Sequence, residues 1–280
     1  MAVSTNSYFS NSLPSGELAV GAGINLFGQD ASPKFAIGTR VQRQDGSVYR
    51  YVHFGAVTSR GQVVAPDLNE SAQIYTANSV IATSSAFQMN DEQTGTYPNM
   101  IGSKYLVLQI GTKTADQYAG GYVTISSGTG LGYTYRIKGN QASNGTATTF
   151  ELYDKVQVGL DATGDLAIAP SKYANVKPGL SVSTNLALAV GVAVAGASTA
   201  GYYGFVITKG VIGVPQSGTL TTGNLAILSN TDAGCVEAYG NGATTATGSG
   251  LVPYLDIPVI GKVVLAAATS GHAIINVELE

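Results

Sequence analysis

Hydrophobic and polar residues alternate one for one at the end of the chain. In "SGHAIINVELE", Ala273, Ile275, Val277 and Leu279 share one phase, while His272, Asn276, Glu278 and Glu280 share the other. Side chains on a strand point alternately to its two faces, so this spacing predicts a half-buried strand with His272 on its wetter side. Val263, Val264 and Leu265 form an apolar run just upstream, and Ser270-Gly271 supplies a turn between the two. The chain is therefore expected to end inside a sheet.

The same period runs through residues 186–195. Leu186, Leu188, Val190, Val192 and Val194 are large, whereas Ala187, Ala189, Gly191, Ala193 and Ala195 are small. No charge occurs between Lys177 and Lys209, and the stretch 186–207 is long enough to cross a bilayer as a helix. Bulk that alternates with period two does not wind round a helix. The expectation is a strand with one crowded face, a loop over 196–201 and a further strand over 202–208.

Two hairpins are written most clearly. "FAIGTRVQRQDGSVYRYVHFGAV" (35–57) has two β-rich runs joined through Asp45-Gly46, a dipeptide that tolerates the positive backbone angles of tight hairpin turns. "GGYVTISSGTGLGYTYRIKGN" (120–140) places Val123 and Ile125 on one face and, after a glycine cluster, Tyr133, Tyr135 and Ile137 on another. Asn144-Gly145 reads as a turn leading to "TTFELYDKVQV", and further turns are expected near Gly213, Gly223, Gly234 and Asn241-Gly242. Residues 61–118 are less regular, with short apolar runs such as Tyr105–Leu108.

Residues 1–33 show no sustained period and contain Pro14 and Pro33; they are expected to be an extended arm that gains order only on a partner. Nowhere do helix caps coincide with a long 3.6-residue period. The fold class expected is all-β, in β-sandwich or β-barrel modules. The division expected is the arm at 1–33, a β-rich domain at 34–175 and a C-terminal β module at 176–280. Whether residues 34–60 pair with the C-terminal strands is left open by the pattern.

Composition narrows the function classes. Charged residues are 11% of the 280, well under the roughly 25% of ordinary soluble domains, and glycines number 36. A net charge of -3 gives no basic footprint, so neither DNA nor RNA is an expected partner. Cys235 is the only cysteine, so burial and backbone pairing hold the fold. The first ten residues carry neither a basic residue nor an apolar core, so no secretory signal is expected there. On that ground the sequons at Asn69-Glu70-Ser71 and Asn144-Gly145-Thr146 read as chance matches.

Candidate chemistry is thin. His53 and His272 are the only histidines, and neither has a cysteine or carboxylate at metal-ligand spacing. His53 follows Tyr49 and Tyr51 at period two, which reads as cross-strand packing. Gly128-Thr129-Gly130-Leu131-Gly132 resembles a phosphate loop, but a strand follows where that chemistry needs a helix N-terminus. Asp161 and Asp165 lack the rest of a calcium ladder. Asp91-Glu92 and Glu278/Glu280 are the carboxylate couples open to glycosidase work. No G-x-S-x-G elbow or Ser/His/Asp order occurs. No catalytic, cofactor-binding or metal residue is expected, and no enzymatic activity.

Residues 35–57 and 120–140, with "GYYGFVITKGVIGVP" (201–215) and "PVIGKVVLAAATSGHAIINVEL" (258–279), resemble successive motifs of virion structural proteins of tailed bacteriophages, of the capsid decoration or cement type. The closing pattern of Gly223-Asn224-Leu225, Ile260–Val264 and the last strand is similar to small decoration modules with a β-barrel or β-tulip fold. Such proteins often carry a tryptophan in the aromatic strand, where this chain has Tyr202, Tyr203 and Phe205. The resemblance implies a homotrimer, made in the host cytoplasm, bound to the major capsid protein on the capsid exterior. It lends no catalytic residue. The sixteen tyrosines support an alternative, a carbohydrate- or receptor-binding β module of a head fibre or tail component. No membrane partner is expected.

Overall fold

The computed structural model describes residues 18–19, 24–67, 73–75, 101–108, 110–145, 148–160, 165–181, 188–239, 258–267 and 271–280. Among them every regular element is a strand, so the chain is all-β as its alternation predicts. No helix among the described residues is long and apolar enough to cross a membrane.

The chain forms two compact units. Unit 1 joins residues 1–68 to 172–280, and unit 2 is the insertion 69–171. The contacts thus divide the chain differently from the boundary expected at 175/176. Unit 1 contributes β1 (Leu18–Ala19), β2 (Arg40–Gln42), β3 (Val48–His53) and β4 (Val63–Pro66) before the insertion. Unit 2 holds β5 (Gln73–Tyr75), β6 (Tyr105–Leu108), β7 (Gly111–Lys113), β8 (Tyr122–Ile125), β9 (Thr134–Asn140), β10 (Ser143–Gly145), β11 (Thr148–Leu152) and β12 (Leu166–Ala169). The chain then returns with β13 (Val176–Pro178), β14 (Gly191–Ala193), β15 (Tyr203–Pro215), β16 (Leu225–Leu228), β17 (Val236–Ala238), β18 (Val259–Leu265) and β19 (His272–Glu278).

Unit 1 is built on one sheet in the order β1-β2-β3-β15-β19-β18-β16-β17, with β14, β4 and β13 branching from β15. The 13-residue β15 makes this possible by changing partners along its length. Its first half pairs with β3, from Tyr203↔His53 to Lys209↔Val48, and with β14 through Val206 and Ile207. Its second half pairs with β19, from Lys209↔Glu278 to Pro215↔His272. Residues 48–53 therefore pair with the C-terminal half, which separates them from 69–171 and explains the unexpected boundary. Gly213, expected in a turn, lies inside β15 opposite Ile274.

The Asp45-Gly46 hairpin forms between β2 and β3. Arg43 N–H donates to the Ser47 carbonyl, Ser47 N–H to Asp45 Oδ1, and Gly46 takes a φ of 83°. Phe35, Tyr51 and Phe205 meet edge and tilted, with ring centroids 5.0 to 5.9 Å apart, as aromatic pairs prefer. They sit with Val41, Val192, Ile207, Val214, Ile275 and Val277 in the larger core. A second cluster of Val52, Phe54, Val64, Val176, Val190, Ala193 and Val206 fills the other side of the same strands. The run at 189–195 is thus buried on both faces, rather than crowded on one as its alternation suggested.

The arm expected at 1–33 is described only at 18–19 and 24–33, and there its own body orders it. Leu18–Ala19 pairs in parallel with β2, Leu26 is buried in the larger core, and Asp30 and Tyr203 exchange backbone hydrogen bonds of 2.9 and 2.8 Å. Lys34 forms an ion pair with Asp30 at 2.5 Å.

Unit 2 contains the sheet β5-β12-β8-β9-β11-β6 and the two-stranded pair β7-β10. Its core is the single cluster of Leu106, Leu108, Tyr118, Val123, Ile125, Tyr135, Ile137, Phe150, Leu152, Leu166 and Ile168. Asn144-Gly145, expected as a turn, belongs to β10, where Asn144 opposes Thr112. A turn dipeptide becomes a strand when a distant segment offers its backbone a partner, a cross-strand effect that local spacing does not encode.

Candidate functional site

The residues singled out by sequence are scattered by the fold. His53 is half-buried, opposite Tyr203 with ring centroids 4.8 Å apart, and burial holds its pKa below the ordinary value. His272 is exposed at the start of β19, its Cδ2 3.2 Å from where a Cβ on Gly61 would stand. His53 is thus a packing residue of the sheet, and His272 a residue of its exposed face. Cys235 is partly covered, and burial, followed by the Asp232 carboxylate, pushes its thiol pKa up, away from the reactive thiolate.

Glu278 and Glu280 are engaged separately. Glu280 forms ion pairs with Arg50 and, at 3.4 Å, with Arg40, closing the chain end onto the β2–β3 hairpin. Glu278 instead accepts a hydrogen bond from Asn276 Nδ2 at 3.0 Å. Asp91-Glu92, Asp161 and Asn69-Glu70-Ser71 lie outside the described residues, as do Thr146 and Asn241-Gly242. Asp165 stands just before β12, its N–H donating to Ser127 Oγ at 2.9 Å. Among the described residues no three His, Cys, Asp or Glu side chains gather as metal ligands.

The glycine cluster 128–132 is the β8–β9 hairpin connection. Its amides are used internally: Leu131 N–H donates to Gly128 O, Gly132 N–H to Ile125 O and Tyr133 N–H to Gly130 O. None of these three is left for a phosphate.

Among the described residues, two solvent-facing sheet surfaces remain, one in each unit. In unit 1, the outward positions of β15, β19 and β18 are read directly from the register. Ile274 opposes Gly213 on one side and Leu265 on the other, and Asn276 opposes Val211 and Lys262. Val211 is 59% exposed and Leu265 56%, with Ile274 and Val264 also exposed. They form an apolar strip bounded by Lys209, Lys262 and Glu278 at one end and His272 at the other. The opposite faces of the same strands carry Val214, Ile260, Val263, Ala273, Ile275 and Val277 into the core, which fixes the strip outward.

In unit 2, the outward face of β12, β8, β9 and β11 carries a different chemistry. Tyr122 directly opposes Arg136, and Thr124 opposes Thr134, their hydroxyls 3.0 Å apart. Tyr153, just past β11, donates its N–H to the Arg136 carbonyl, and the Arg136 guanidinium lies 4.8 Å from the Tyr153 ring. Lys138 on the same face bonds Glu151 at 2.6 Å. Tyr122 is 49% exposed and Tyr153 42%.

The sequence pattern groups Val123 with Ile125 on one face and singles out neither Tyr122 nor Thr124. The signal was present: if Val123 and Ile125 point in, Tyr122 and Thr124 point out. What was missing was register, which sets Tyr122 beside Arg136 and brings Tyr153 to the same row. Tyr133, expected to share a face with Tyr135 and Ile137, lies just before β9, exposed but stacked on Tyr135 with centroids 6.2 Å apart. Comparisons with protein-family models, curated proteins and solved structures found no match to this chain.

Proposed function

We propose that the chain is a non-enzymatic structural protein that binds the exterior of an icosahedral phage capsid, stabilising or decorating it as a homotrimer on the major capsid protein. The observation that carries this reading is the outward strip of Val211, Ile274, Val264 and Leu265 on β15, β19 and β18. Exposed apolar surface rimmed by polar residues is the usual mark of a protein contact. The strip is presented by paired strands rather than by a loop, so it meets a partner with little ordering cost. The motifs of 201–215 and 258–279, which carry the resemblance to decoration proteins, are the segments that form this surface.

The test is co-sedimentation with empty shells assembled from the major capsid protein of the same source. The chain pellets in saturating, stoichiometric amount. The double variant Val211→Lys/Leu265→Lys, with an unchanged melting temperature, stays in the supernatant, because burying two unpaired charges opposes the contact. A wild-type chain that never pellets with shells refutes the capsid reading, and a variant that pellets equally well refutes the assignment of the face.

A further inference from the structure

We propose that the row Tyr122–Arg136–Tyr153 on the outward face of unit 2 is a binding site for an acidic saccharide, a sugar bearing a carboxylate. The proposal rests on unit 2 alone and stands apart from the capsid reading.

Geometry comes first. Tyr122 and Arg136 are direct cross-strand partners on β8 and β9, and Tyr153 is tied to Arg136 from the β11 side by its backbone N–H at 3.0 Å. Neighbouring strands lie about 4.8 Å apart, so the two tyrosines flank the guanidinium across roughly 10 Å. On the β12 flank, Tyr122 is opposed by the exposed Ala169 and Thr124 by Ala167, so the β12 positions beside the platform carry only methyl groups.

Charge decides what the platform would hold. Lys138 is neutralised by Glu151 on its own face. Among the described residues Arg136 has no carboxylate partner; its guanidinium is held over the Tyr153 ring instead. A guanidinium fixed by stacking keeps its fork of N–H donors for a bidentate carboxylate, which it matches in plane and spacing. The Tyr122 ring offers an apolar face to the C–H face of a pyranose, while Tyr153 serves to hold the guanidinium in place. Thr124 and Thr134 add hydroxyls beside them.

Exposed tyrosines on strands are common and mostly mean nothing more than a half-covered sheet. Here they stand on both sides of an unneutralised, pre-oriented cation, on one row of a sheet whose other face is a packed core. One cation suits one carboxylate. A polyphosphate chain would need several cations, and the net charge of -3 opposes it.

The experiment is a glycan array carrying neutral, sulfated and carboxylated oligosaccharides, probed with the full chain, followed by calorimetric titration of the best ligand. Carboxylated glycans are expected to bind. Arg136→Gln is expected to weaken them at least tenfold, and Tyr122→Ala or Tyr153→Ala several-fold, with unchanged melting temperatures since all three side chains face outward. Absence of binding to carboxylated glycans overturns the proposal, as does binding that Arg136→Gln leaves intact or a stronger preference for neutral or sulfated sugars. Should Arg136→Gln fail to fold, amide chemical-shift mapping of the wild-type chain with the same ligand decides: perturbations centred away from residues 122, 136 and 153 overturn it.

Discussion

Tyr51 is fully buried between Phe35 and Phe205, yet its hydroxyl is satisfied: it accepts the Lys34 N–H at 3.1 Å and lies 3.4 Å from Asp30. Burial pushes its pKa up to about 12, so the phenol stays neutral wherever the fold is stable. His53, two residues on, shows the same physics with opposite sign. Burial disfavours its charged form and lowers its pKa below the ordinary 6.5, offset in part by a backbone hydrogen bond at Gly201. As pH falls below about 6.5, the unfolded chain takes up a proton that the folded one resists, so stability rises with pH and is lost on acidification. The melting temperature of the wild-type chain should therefore fall more than that of His53→Phe between about pH 7.5 and about pH 5.5. Equal falls would show that His53 stays neutral in both states or charges freely in the fold.

At the scale of elements, β15 decides the architecture of unit 1, and Gly210 lets it do so. The pairing with β3 ends at Lys209 after an irregularity between Ile207 and Lys209, and the pairing with β19 begins at that same residue. Gly210 follows with a φ of 125°, where a Cβ would stand 2.7 Å from Ser47 Oγ. Gly210→Ala combines backbone strain with a clash and should cost about 1–3 kcal/mol, read as a lowered urea midpoint. An unchanged midpoint would contradict the role given to this handover.

Elements were legible where their signal was local. The Asp45-Gly46 hairpin and the alternation of Ala273, Ile275 and Val277 against His272 and Glu278 needed only neighbouring residues. Partners far away in sequence were not legible. Gly213 reads as a turn until Ile274 pairs with it, and Asn144-Gly145 until Thr112 and Gly111 do. The two outward surfaces hid for the same reason: each spans neighbouring strands and is assembled by register from residues that no single segment contains.

On the scale of the whole molecule, unit 2 is an excursion from unit 1. The chain leaves and re-enters beside one place: Asp67 N–H donates to the Asn175 carbonyl at 3.2 Å, and Asp67 pairs with Lys177 at 2.6 Å. These contacts, like the β4–β13 pairing from Val64↔Pro178 to Pro66↔Val176, belong to unit 1. Replacing residues 69–171 by a short Gly/Ser linker should leave a cooperatively melting β protein, since closing a short loop costs little and neither core of unit 1 loses a member. Loss of cooperative melting would show that unit 1 depends on its insertion. On the proposals above, unit 1 carries the apolar strip for assembly and unit 2 the tyrosine–arginine row for a small ligand.

Electron cryomicroscopy of empty shells incubated with the purified chain tests the proposal that it covers a capsid. Added density is expected on the outer surface, repeated with the symmetry of the shell, with the strip of Val211, Ile274, Val264 and Leu265 turned toward the major capsid protein. Shells indistinguishable from untreated ones at saturating concentration would contradict it.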